Sequence, residues 1–121
     1  MKAQTSFKGS ARPAAVAGKF YPADASELRG VIEGLLAEVA RTPGPPPKAL
    51  IVPHAGLIYS GPIAASGYAE LKPFRETIRK VVLIGPAHYV FVPGLAVPTT
   101  EAFETPLGLV KVSRELVDKA R

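Results

Sequence analysis

The chain has 121 residues, 47% of them hydrophobic, enough for one domain with its own core. It contains no apolar stretch long enough to cross a bilayer, and no apolar core follows the polar opening MKAQTSFKGSARPAA, so a cytoplasmic protein is expected. The absence of cysteine excludes disulfides and thiolate metal sites within this chain, and the net charge of +5 is concentrated at Lys2, Lys8, Arg12 and Lys19. Beyond that basic start the charges nearly balance and no basic stripe is interleaved with aromatics, which argues against a nucleic-acid surface.

Residues 1–11 are polar and aperiodic and read as a mobile tail. A helix is expected from about 25 to 40. Asp24 can cap its free N–H groups, Glu27 stands three residues on, and Leu28, Val31, Ile32, Leu35, Leu36 and Val39 recur at helical spacing. The Pro-rich connector Thr42–Pro47 cannot continue it. Ala49–Val52 is then a continuous aliphatic run bounded by prolines, the pattern of a strand buried on both faces. Gly56, Ser60, Gly61 and Pro62 suggest a loop, with a small-residue helix over Ile63–Leu71 ended by Pro73.

Val81–Ile84 repeats the aliphatic run, so strand, helix and strand would form a parallel βαβ unit with a right-handed crossover. Leu95–Val97 and Leu109–Val112 are weaker strand candidates on either side of a Glu101–Gly108 turn region. Ser113 can cap a last helix with Leu116, Val117 and Ala120 inward. The expected class is α/β, a parallel or mixed sheet flanked by helices. Because such a sheet leaves apolar edges uncovered, residues 12–121 are expected to be the N-terminal part of a larger domain, or to complete themselves by association as a homo-oligomer.

The two aliphatic runs share a further feature. Each is followed by a proline and then by one of the chain's two histidines, in IVPHAG and in LIGPAHY. In open α/β sheets ligands bind beyond the carboxyl ends of the strands, so His54 and His88 would project at one edge. Two neutral imidazoles suit a divalent transition metal, and a carboxylate as third ligand would give the donor set of non-haem iron oxygenases. Glu101 and Glu104 are the local carboxylates, although both also read as turn residues. Tyr21, Tyr59 and Tyr89 are candidates to line the cleft, Tyr59 foremost because it follows His54 in the loop. No dinucleotide fingerprint, P-loop or nucleophile elbow occurs, and Ser60 and Ser66 read as hydroxyls serving the helix.

Arg12–Pro22 (RPAAVAGKFYP), ALIVPHAGLIYSGPIAASGYAEL, VVLIGPAHYV and Glu101–Gly108 (EAFETPLG) together resemble the Memo-like family, whose prokaryotic members are called AmmeMemoRadiSam system protein B. The resemblance runs from about Arg12 to the last residue. It implies a fold similar to class III extradiol ring-cleavage dioxygenases, in which two histidines and a glutamate hold iron. It also implies that His54 and His88 are metal ligands and that the metal is iron or copper before zinc. The DFSH-like segment of the family, and the cysteine found in some animal members, do not occur in this sequence, so the third ligand is absent. Leu57 stands where the family often has an aromatic, and Ala87 replaces the serine usual beside the second histidine, removing a hydroxyl that could orient the imidazole.

The resemblance implies AMMECR1-like and radical-SAM proteins as partners. It leaves the activity open between a metal-dependent redox or dioxygenase-like enzyme and a non-enzymatic peptide-binding module. A truncated, inactive remnant is the third reading.

Overall fold

The computed structural model describes residues 9–120. The chain forms two compact units, one spanning Ala15–Val81 and the other joining the segment up to Ala14 with Val82–Arg121. The larger part of the expected tail, residues 1–8, lies outside the described residues.

In the Ala15–Val81 unit, helix α1 (Ala25–Ala37) starts where the capping pattern places it. The Asp24 carboxylate accepts from the Glu27 backbone N–H at 2.8 Å, satisfying one of the orphan donors of the first turn. The helix stops three residues before the expected end, with Glu38 as its C-cap. Leu28 is its most buried side chain, at 5% exposure.

The second helix, α2 (Leu57–Tyr68), begins six residues earlier than its composition suggests and runs on as a 3-10 helix over Ala69–Phe74. The segment around Gly61 and Pro62, expected to be loop, is therefore helical. Tertiary contacts explain this. The Phe20 carbonyl accepts from the first helical N–H, that of Leu57, at 2.8 Å, so a group outside the helix fixes its start. Gly61 lies against Leu35 of α1, and a Cβ built on Gly61 would stand 2.8 Å from Leu35 Cδ1. Pro62 lacks one N–H donor, and the close packing of Gly61, Ala64 and Ala65 offsets that loss. Ser60 and Ser66 serve the helix as expected, their hydroxyls donating to the Ala55 and Pro62 carbonyls at 2.8 and 3.2 Å.

The second unit carries a three-stranded mixed sheet, β1 (Ala11–Arg12), β2 (Ala102–Thr105) and β3 (Gly108–Lys111), in that order. β1 is parallel to β2, with Ala11 opposite Ala102, while β2 and β3 form an antiparallel hairpin. The hairpin turns through Pro106 and Leu107. Pro106 holds φ negative at the first loop position. The positive φ, 123°, falls on Gly108, where no Cβ is present to resist it. Thr105 Oγ1 closes the turn by donating to the Gly108 carbonyl at 2.8 Å. Ala102 is fully buried, at 0% exposure.

Helix α3 (Arg114–Lys119) is capped by Ser113, with Val117 inward as expected. Arg114 Nη2 donates to the Pro98 and Thr100 carbonyls at 3.1 and 2.7 Å, tying the helix to the chain before β2.

The fold is therefore small α/β with a mixed sheet, but the sheet is made of other residues than those expected. Neither Ala49–Val52 nor Val81–Ile84 is a strand, and the βαβ unit between them is not formed. Ile51 and each of Val81, Val82, Leu83 and Ile84 are exposed. A run apolar on both faces becomes a buried strand only with ladder partners at its edges and cover on its faces; the described residues supply no ladder partner to either run, and cover Ala49–Val52 only in part, where Val52 meets Gly67. Of the weaker candidates, Leu95–Val97 is not a strand, whereas Leu109–Val112 is β3 shifted by one residue. Part of the expected turn region is β2 itself. No helix among the described residues is long and apolar enough to cross a membrane.

Candidate functional site

His54 stands in the irregular stretch between Val52 and α2, exposed, with Gly56 and the helix start just beyond it. The main chain of the Gly18–Tyr21 turn positions that stretch. Gly18 takes φ 77° and its N–H donates to the Tyr21 carbonyl at 2.7 Å, closing the turn. Phe20 of the same turn then presents its carbonyl to Leu57. Gly56 lets the chains cross closely, because a Cβ there would lie 3.2 Å from the Phe20 oxygen and push it back by a few tenths of an ångström. The backbone next to Tyr21 and the backbone two residues beyond His54 are thus brought together in one unit. Tyr21 is half-buried, while Tyr59, on the first turn of α2, is 82% exposed.

His88 belongs to the other unit and occupies a bend over residues 88–90. Its ring lies 6.4 Å from that of its neighbour Tyr89, at an interplanar angle of 58°. Both side chains are exposed. Since the runs before the two histidines are not sheet strands, the expected common sheet edge does not exist in the form the sequence suggested.

The two candidate carboxylates serve the sheet through their backbones. The Glu101 N–H donates to the Ser10 carbonyl at 2.9 Å, its own carbonyl accepts from Val112 at 2.9 Å, and Glu104 pairs with Leu109 in the hairpin. Glu104 is a strand residue rather than a turn residue. Among the described residues no group of three or more His, Asp or Glu side chains converges as a metal centre. Imidazole has the right donor chemistry for a transition metal, but two imidazoles are only part of a ligand set.

A shallow cleft of about 360 Å³ opens elsewhere in the Ala15–Val81 unit, lined by Leu36, Val39, Arg41, Ala69, Lys72 and Pro73 among others. None of the candidate histidines or tyrosines lines it. The positioning groups that sequence reasoning missed, the Phe20 carbonyl and the Arg114 guanidinium, act on or through main-chain atoms. A carbonyl has no residue-type signature, and Arg114 reads in sequence as an ordinary helix-surface charge.

Comparison with known proteins decides the family. A family model described as Memo-like protein matches residues 12–121. The chain belongs to the Memo-like family. It is 42% identical over 117 residues to a MEMO1 family protein of Ignicoccus hospitalis, covering 89% of this chain and 41% of that protein. A MEMO1 family protein of Aquifex aeolicus is 42% identical over 108 residues, with 89% and 39% covered. Protein MEMO1 of Xenopus tropicalis is 38% identical over 96 residues, with 79% of this chain and 31% of that protein covered. The Memo-like chain thus spans about two-fifths or less of the length of these relatives.

Proposed function

We propose that this chain supplies His54 and His88 as two imidazole ligands to a transition-metal cleft of a Memo-like protein, in an architecture akin to the class III extradiol dioxygenases. The observation that carries the reading is the matched placement of the chain's two histidines. Each follows an aliphatic run and a proline, and each stands exposed outside the helices and strands rather than being used up in a core. Family membership adds weight to it.

The chemistry sets limits on the reading. Iron or copper chemistry at such a site requires a third protein donor, and the described residues converge on no three-ligand group. The third donor therefore comes from polypeptide beyond these residues, and the chain's own contribution is to hold two ligands. The Gly18–Tyr21 turn performs that task for His54, because its hydrogen bond to Leu57 fixes where the histidine loop enters α2. Tyr59 follows that entry in the chain and Tyr21 follows Phe20, whose carbonyl meets it, so these are the side chains offered to a bound molecule.

Anaerobic calorimetry with Fe(II), Cu and Zn on the chain and on its His54→Ala and His88→Ala variants tests the reading. Saturable binding that weakens by at least about tenfold in each variant is expected, because each removes a ligand rather than a supporting group. Binding that is the same in all three proteins contradicts a site built on these histidines.

A further inference from the structure

The end of α1, the residues that follow it and the 3-10 helix over Ala69–Phe74 enclose the shallow cleft of about 360 Å³. Leu36, Val39, Ala69 and Pro73 give it an apolar lining, and Ala69, at 3% exposure, belongs to the core. Two charged residues line it as well, Arg41 and Lys72, and both are cations. Among the described residues no carboxylate does. A second shallow cleft, of about 340 Å³, shares Val39 with the first and takes its charges from Glu38 and Glu70. The charged residues of this region are thus sorted by sign, the cations to one cleft and the carboxylates to the other.

Each cation alone has an ordinary explanation. Arg41 follows the C-terminus of α1 and Lys72 stands in the last turn of the 3-10 helix, where positive charge meets unsatisfied carbonyls. Helix ends do not explain why two cations from separate elements share one apolar cleft with no acid to neutralise them. Among the described residues neither is in an ion pair. Arg41 Nη1 donates to the Thr42 carbonyl at 3.2 Å, which leaves Nε and Nη2 to donate elsewhere.

We propose that this cleft binds a small carboxylate with an apolar body, the carboxylate held by Arg41 and Lys72 and the body laid on Leu36, Val39, Ala69 and Pro73. The guanidinium offers a planar fork that matches two carboxylate oxygens, and the ammonium adds a point charge. The lining selects the body. A bare inorganic anion would leave the apolar surface wet, and an alcohol of the same shape would gain nothing from the cations. Glu38 and Glu70, beyond Val39, repel a ligand that turns its carboxylate toward them, so the two clefts together favour one orientation. None of His54, His88, Tyr21 and Tyr59 lines the cleft, so the inference stands or falls separately from the metal reading.

Two-dimensional NMR titration of the chain with octanoate at constant ionic strength, beside 1-octanol and acetate, tests it. Saturable shifts are expected at the amides of Val39, Arg41, Ala69 and Lys72, with a Kd for octanoate below about 1 mM. Octanol, which lacks the charge, and acetate, which lacks the body, should each bind at least about tenfold more weakly. Arg41→Gln should weaken octanoate binding at least about tenfold and Lys72→Gln at least about threefold, since both variants lose the charge and keep most of the stem. Lys72 is exposed, so its variant keeps the test decisive where Arg41→Gln disturbs the chain after α1. Four outcomes overturn the proposal: no saturable shifts, octanol binding as tightly as octanoate, unchanged affinity in Lys72→Gln, or shifts that gather instead at the exposed Ile51 and Val81–Ile84.

Discussion

The α1–α2 pair is less apolar in sequence than the run Val81–Ile84, yet the pair is packed and the run is bare. The difference lies in where their hydrogen bonds go. A helix closes its backbone bonds within itself and needs a neighbour only for its apolar stripe; Leu35 meets Gly61 across α1 and α2, and Leu28 and Ala65 are buried. A strand closes no bonds alone, so an aliphatic run without a ladder partner stays extended and exposed whatever its propensity. The β2–β3 hairpin makes the same point, because its partner strand is only a two-residue turn away.

The sharpest test of this contrast compares equal truncations in the two regions. Leu28→Ala should cost about 2–5 kcal/mol in urea unfolding, as for other buried leucines. Leu83→Ala should change the same midpoint by less than about 0.5 kcal/mol, because Leu83 is exposed. A comparable loss at Leu83 would show that its run is packed in solution. Next in size is Gly67→Ala, expected to cost about 1–3 kcal/mol because its Cβ would press on Val52.

Gly30→Ala on α1 meets nothing within 4 Å and should instead stabilise by about 0.5–1 kcal/mol. Asp24→Ala, which removes the bond to the Glu27 N–H, should cost about 1 kcal/mol in thermal unfolding, with Asp24→Asn recovering most of it. The smallest effect belongs to Lys119→Ala. Its ion pair with Glu115 at 2.9 Å is exposed and spaced one helical turn apart, so a loss of no more than about 0.5 kcal/mol is expected.

What the sequence made legible follows the same division. The start of α1 at Asp24 and the start of α3 at Ser113 were readable because a cap is a local bond between residues three apart. The early start of α2 was not, because it depends on the Phe20 carbonyl, which lies thirty-seven positions away in the chain. Strand β2 was hidden inside a segment whose Glu, Thr, Pro and Gly read as a turn, and its pairing with Ala11 is a contact no local pattern announces. Conversely, Ala49–Val52 and Val81–Ile84 carry a clear strand pattern that the described residues do not complete. For the candidate site, the residue types of His54, His88 and the tyrosines were legible. Only the Gly18–Tyr21 turn against Leu57 was added by the structure.

Amide hydrogen exchange on the chain alone, read residue by residue, tests the central contrast most directly. The account predicts strong protection for α1 and for α2 from Gly61 onward, and intermediate protection in the β2–β3 hairpin. It predicts exchange close to the unstructured rate at residues 50–52 and 81–84. Protection of Val82–Ile84 equal to that of α1, at concentrations where the chain is monomeric, would contradict it.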